Sequence, residues 1–105
     1  MSEPALTDPF EALGDSNRRE ILALLRDGER SVSELTQALP ISRPAVSRHL
    51  RLLKQAGLVA ERPSGTLRLY RLQDEGVEVV QEYLRRVWGE AAIRFTLLAD
   101  NTRRR

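Results

Sequence analysis

The sequence predicts a mostly α-helical chain with one small β-hairpin, in the order helix, helix, helix, helix, hairpin, helix. Three observations lead there. Apolar residues recur at spacings of three and four over most of the chain, as in helices that bury one stripe. The period shortens to two on either side of Pro63-Ser64-Gly65-Thr66, as in two strands joined by a turn. Helix-capping residues open the apolar runs, and glycine or proline closes most of them.

Asp8-Pro9-Phe10-Glu11 sets a capping aspartate, a proline at the first helical position and a glutamate three residues after the cap. Gly14 keeps that helix short. Asp15 caps the second helix, which is expected to reach about Arg26, with Ile21, Leu22, Leu24 and Leu25 on its apolar face and Asp27-Gly28 at its end. Ser31-Val32-Ser33-Glu34 is a capping box for a third helix that buries Val32, Leu35 and Leu39. Pro40-Ile41 breaks it. Ser42 caps the fourth helix, Pro44 sits in its tolerant first turn, and Val46, Leu50 and Leu53 form its buried stripe until Gly57. Residues 58–62 and 67–72 read as strands. Asp74 is expected to cap a last helix running to about Asp100. Two short helices across a three-residue break, followed by a hairpin, make a winged helix-turn-helix. One domain over residues 1–102 is expected, with Arg103–Arg105 as a disordered basic tail.

Composition narrows the function. The 105 residues contain no cysteine, which excludes disulfides, thiolate metal sites and cysteine catalysis. No apolar run approaches the ~20 residues of a membrane span, and no secretory signal opens the chain, so a cytoplasmic protein with no membrane partner is expected. Net charge is only +2 but is segregated. Residues 1–42 carry 4 basic and 8 acidic side chains, residues 73–105 carry 6 of each, and residues 43–72 carry 7 basic side chains against Glu61 alone. That +6 block is a directed basic surface suited to a polyphosphate.

The block lies on the fourth helix and the hairpin. A recognition helix offers its N-terminal residues to base edges in the major groove. Here Ser42, Arg43, Pro44 and Ser47 are in that place. Arg48, Arg51 and Lys54 lie on the same helix, with Arg51 and Lys54 further along, toward phosphates. Arginine forks onto guanine, serine is a permissive donor or acceptor, and the free N–H groups of the helix start suit a phosphate. The hairpin sets Arg62, Ser64, Thr66 and Arg68 near its tip, where a wing lies along the backbone or reaches the minor groove. Tyr70 is the sole aromatic in the block, too few for RNA base stacking. His49, the one histidine, borders the buried stripe and reads as a structural or phosphate-bonding residue. No nucleophile elbow or phosphate loop occurs, so no enzyme is expected.

Phe10-Glu11-Ala12-Leu13-Gly14-Asp15 with Arg18-Arg19-Glu20-Ile21-Leu22 resembles the opening of ArsR-type bacterial repressors. The run Ile41-Ser42-Arg43-Pro44-Ala45-Val46-Ser47-Arg48-His49-Leu50, then Leu53, Ala56-Gly57-Leu58-Val59 and Tyr70-Arg71-Leu72, is similar to that family's recognition helix and wing. The resemblance spans roughly residues 8–98. It implies a homodimeric winged-helix repressor of double-stranded DNA whose first and last helices form the dimer interface. The chain departs from the metal-sensing branch: the third helix lacks Cys and His, and the last helix has acids but no His. A Zn or Cu site wants several N or S ligands, so no metal and no cofactor is expected. Thr66 stands where the family often has a basic wing residue, which weakens a minor-groove arginine at the tip.

The last helix carries a seam of Val77, Val80, Leu84, Val87 or Trp88, Ala91, Phe95 and Leu98. At about 25 residues it would be roughly 37 Å long, more than one small core covers. Part of the seam is therefore expected to bury against a second copy with Phe10 and Leu13. Gly89 would weaken such a helix by about 1 kcal/mol, which a close backbone crossing would explain. Trp88 and Phe95 could also line an effector pocket, although the sequence names no effector. The function expected is a DNA-binding transcriptional regulator, a repressor on an inverted-repeat operator. The alternative is a winged-helix protein-interaction module that uses the long last helix.

Overall fold

The structure is a computed structural model that describes residues 7–89. Helices α1 (Pro9–Ala12), α2 (Ser16–Leu24), α3 (Val32–Ala38) and α4 (Arg43–Gln55) come first. Strands β2 (Val59–Ser64) and β3 (Leu67–Leu72) and helix α5 (Glu75–Trp88) follow, with a two-residue strand β1 (Arg30–Ser31) ahead of α3. The local signals act as the side chains dictate. Asp15 Oδ1 accepts from the N–H groups of Asn17 and Arg18 at 2.8 and 3.1 Å, satisfying donors that the start of α2 leaves unpaired. Both bonds of the Ser31–Glu34 capping box form, at 2.8 and 3.2 Å. Ser42 Oγ accepts from Ala45 N–H at the start of α4.

Ile21, Leu25, Leu35, Leu39, Val46, Leu50 and Leu53 meet in one core closed by Ala12, Leu58 and Val59. Burying a side chain of the Leu or Ile type is worth about 1.5–3 kcal/mol. The stripe on α4 therefore fixes which way its polar side chains face. The break between α3 and α4 is four residues, Leu39 to Ser42, because α3 stops one residue earlier than expected. Likewise α2 ends at Leu24, and Leu25–Asp27 tighten into a 3₁₀ turn.

Three further features differ from the sequence reading. First, the sheet has three antiparallel strands in the order β1-β3-β2, with Arg30 opposite Tyr70 and Ser31 opposite Leu69. A two-residue strand is too short to show any alternation. Second, Pro63 and Ser64 belong to β2, and the turn is Gly65-Thr66 alone, with Gly65 at φ +63°. Proline is tolerated there because β2 is an edge strand and needs no donor on its outer side.

Third, α5 does not run unbroken toward Asp100. It has 14 residues, about 21 Å, and ends at Gly89, whose φ of +71° is left-handed and closes the helix. The interior-glycine penalty thus does not apply. The close crossing expected at Gly89 occurs at Gly76 instead, where an added Cβ would stand 2.2 Å from the Ala56 carbonyl oxygen. There the Gly76 N–H donates to the Gly57 carbonyl at 2.8 Å. That bond supplies a backbone acceptor at the start of α5, and Asp74, already in helical backbone geometry, forms no side-chain cap.

Candidate nucleic-acid interface

The stripe of Val46, Leu50 and Leu53 faces inward, leaving Ser42, Arg43, Pro44, Ser47, Arg48, Arg51 and Lys54 exposed on α4. No residue of α4 is acidic. The hairpin stands beside its C-terminal end and presents Arg62, Ser64, Thr66 and Arg68, all exposed. All eleven sequence-selected residues are therefore on the surface of one helix and one adjoining wing.

They are not equally available. Ser42 Oγ accepts the cap bond, which leaves its hydroxyl hydrogen free to donate. Arg43 donates to Ser33 Oγ of α3 at 2.8 Å, bridging the two helices across the turn. Arg62 forks onto Glu29, with Nε and Nη2 each 2.8 Å from a carboxylate oxygen. Glu61 takes Lys54 on Oε1, and Arg68 at 3.4 Å and the Tyr70 hydroxyl at 3.3 Å on Oε2. The Lys54 hydrogen bond holds the Glu61 carboxyl below the usual carboxylate range, and the Arg62 hydrogen bond does the same to Glu29. Arg48 and Arg51 form no ion pair among the described residues.

Sequence reasoning missed these clasps because register creates them. Glu61 lies opposite Tyr70 across the β2–β3 pair, while Glu29, just ahead of β1, reaches Arg62 in β2, 33 positions later. It also missed Arg18, whose guanidinium donates to the carbonyls of Ala12 and Glu11 and to His49 Nδ1 at 3.3 Å, tying α1 and α2 to the back of α4. Arginine has no acceptor, so Nδ1 accepts and the neutral ring carries its proton on Nε2. Burial, together with Arg18 and Arg48, pushes His49 below its ordinary value despite Asp15. His49 thus has a structural contact at the stripe's border, one of the two roles, structural or phosphate-bonding, that the sequence suggested.

A second surface lies on α1 and α5. Val80 and Leu84 are half-buried, whereas Val87 and Trp88 are 51% and 58% exposed. Leu13, Leu22, Val77 and Val80 line an open groove of about 790 Å³ between α2 and α5. Around the helix from it, Phe10 packs edge-on to Tyr83 at 5.2 Å, and Tyr83 to Trp88 at 6.3 Å. Tyr83 was not expected here. Ala91, Phe95 and Leu98 lie outside the described residues. Among the described residues no group of three or more His, Cys, Asp or Glu could hold a metal ion, and no helix is long and apolar enough to cross a membrane.

Comparison with known proteins adds to this geometry. Residues 15–61, from the cap of α2 into the wing, match the model of the bacterial regulatory protein arsR family. The chain is 44% identical over 92 residues to the HTH-type transcriptional regulator Rv2034 of Mycobacterium tuberculosis, spanning 88% of this chain and 86% of that protein. The chain belongs to the arsR family. It is also 34% identical over 67 residues to the transcriptional repressor SdpR of Bacillus subtilis, covering 64% of this chain and 74% of that one. An ArsR-like transcriptional regulator from Rhodococcus sp. RHA1 superposes with a TM-score of 0.71 at 31% identity, over 91% of this chain and 88% of its own. This arsR-family chain is therefore a helix-turn-helix transcriptional regulator with a DNA-binding domain, and not an enzyme.

Proposed function

We propose that this regulator is a cytoplasmic homodimeric repressor that inserts α4 of each subunit into a major groove and rests its wing on the flanking backbone. The observation that carries this reading is the α4 surface itself: an exposed, acid-free row of Ser42, Arg43, Pro44, Ser47, Arg48 and Arg51 beside a basic wing. Arg43 and Ser47, one turn apart at the start of α4, are the base readers. Arg48 and Arg51, which form no ion pair among the described residues, hold phosphates. Lys54, Arg62, Ser64, Thr66 and Arg68 contact the backbone at the wing.

The partly covered seam on α5 supports the dimer. Phe10, Leu13, Val80, Leu84, Val87 and Trp88 would be buried against the same residues of a second copy, a two-fold and therefore self-complementary contact. Ala91 and Phe95 are assigned to that interface from sequence. Two-fold symmetry requires an inverted-repeat operator with half-sites about 34–36 Å apart, or a multiple of that. The bound dimer then blocks polymerase access. Residues 1–102 act as one unit, followed by the basic tail Arg103–Arg105.

Fluorescence anisotropy with the DNA upstream of the chain's own reading frame tests this, against a scrambled duplex, across a salt titration and without added metal. Preferential binding that weakens steeply with salt is expected. Equal, weak binding to both duplexes would count against an operator in that upstream DNA. A promoter-reporter assay gives the sign: activation on binding would overturn repression.

A further inference from the structure

Glu61 is the one acid in the +6 block, and it sits on β2 of the wing, within reach of Lys54 at the end of α4. Its side chain is 17% exposed, while those of its partners Lys54 and Arg68 are 53% and 63% exposed. The acceptor is thus the shielded partner. It is held opposite Tyr70, whose hydroxyl donates to the same oxygen as Arg68. The cations are long, exposed side chains free to swing outward. For either one, reaching a DNA phosphate means exchanging one anion for another. Such an exchange adds less affinity than a contact made by an unpaired cation. Arg51, one turn from Lys54 on α4 and without an ion pair among the described residues, is the internal reference.

We propose that Glu61 is an internal competitor for phosphate, holding Lys54 and Arg68 in reserve and thereby setting the affinity and salt dependence of the wing's contact with DNA. This rests on the DNA-binding reading of α4 and the wing. Neutralising the competitor frees one net positive charge for the duplex. A phosphate contact contributes about 0.9 to the slope of log K against log salt concentration.

The test uses the full chain and E61Q, with a random-sequence duplex titrated across salt and a heparin column run in parallel. Circular dichroism confirms that both are folded. E61Q should bind the duplex on the order of fivefold tighter at low salt, what one charge at ~4 Å is worth in water. Its slope should steepen by about 0.9, and it should leave heparin at higher salt. Unchanged or weaker binding with an unchanged slope would overturn the proposal and leave Glu61 a structural brace. A second pair covers misfolding of E61Q. K54Q should lose clearly less affinity and slope than R51Q in the otherwise native chain, and equal losses would overturn the competition. If the native chain bound no duplex, the DNA reading itself would fail. Heparin elution would still decide whether Glu61 withholds Lys54 and Arg68 from polyanions.

Discussion

The α4–wing surface and the α1–α5 surface of this arsR-family regulator are both exposed but are made of opposite materials. On the first, exposed cations dominate and the α4 stripe beneath them, Val46, Leu50 and Leu53, is fully buried within one chain, with Leu67 and Leu72 of the wing the apolar exceptions. On the second, valines and aromatics remain uncovered, with Val79, Val87 and Trp88 at 50%, 51% and 58% exposure. A charged surface is content in water until a polyanion arrives. Contiguous apolar surface of this kind marks an interaction site. The first surface is polar and suited to water in a single chain, and the second leaves apolar side chains for the proposed second copy to cover.

The two surfaces are joined where α5 crosses the end of α4 at Gly57 and Gly76. Breaking that joint is the largest effect expected. Gly76→Ala puts a Cβ 2.2 Å from the Ala56 carbonyl oxygen and 3.0 Å from Leu58 Cδ2. A loss of about 3 kcal/mol is expected from this overpacking, read as a lower urea midpoint. A loss under about 1 kcal/mol would mean that α5 shifts freely on the core. The apolar surface is addressed by Val87→Glu. That side chain is exposed in one subunit, so the fold should survive while sedimentation shifts from dimer to monomer and operator affinity falls. An unchanged dimer would place the interface elsewhere.

The basic surface is sharpened by comparing its two arginine types. Arg51→Gln should weaken specific and random duplexes alike and lower the salt slope by about 0.9. Arg43→Ala should cost about 1–3 kcal/mol on the operator and little on random DNA. Equal losses on both duplexes for Arg43→Ala would remove its base-reading role. The smallest effect is in pH. Burial depresses His49, so in acid the unfolded chain takes up a proton there more readily than the folded chain. The stability concerned is complete above its ordinary value of 6.5 and declines as pH falls below that. Thermal melts from pH 7.5 to 5.5 should show this decline, and His49→Gln should flatten it. An equally steep decline in the variant would assign it to other groups.

Much of this molecule is legible in its residues because the governing interactions are local. A capping aspartate or serine reaches backbone donors two or three positions ahead, and a helical stripe repeats every three or four. The helix starts at Asp8, Asp15, Ser31 and Ser42, the inward stripe of α4 and the exposed basic row opposite it all follow from such short-range rules. What sequence alone did not settle depends on partners far along the chain. The Arg62–Glu29 fork spans 33 positions, Arg18 meets His49 across 31, and Gly76 meets Ala56 only because α5 folds back over α4. Strand β1 exists because β3 offers it an edge, and α5 stops at Gly89 because its backbone turns left-handed there. Periodicity reports which face of an element is buried. Which side chains meet across the fold, and so which arginines are already engaged before DNA arrives, is decided by how the elements pack.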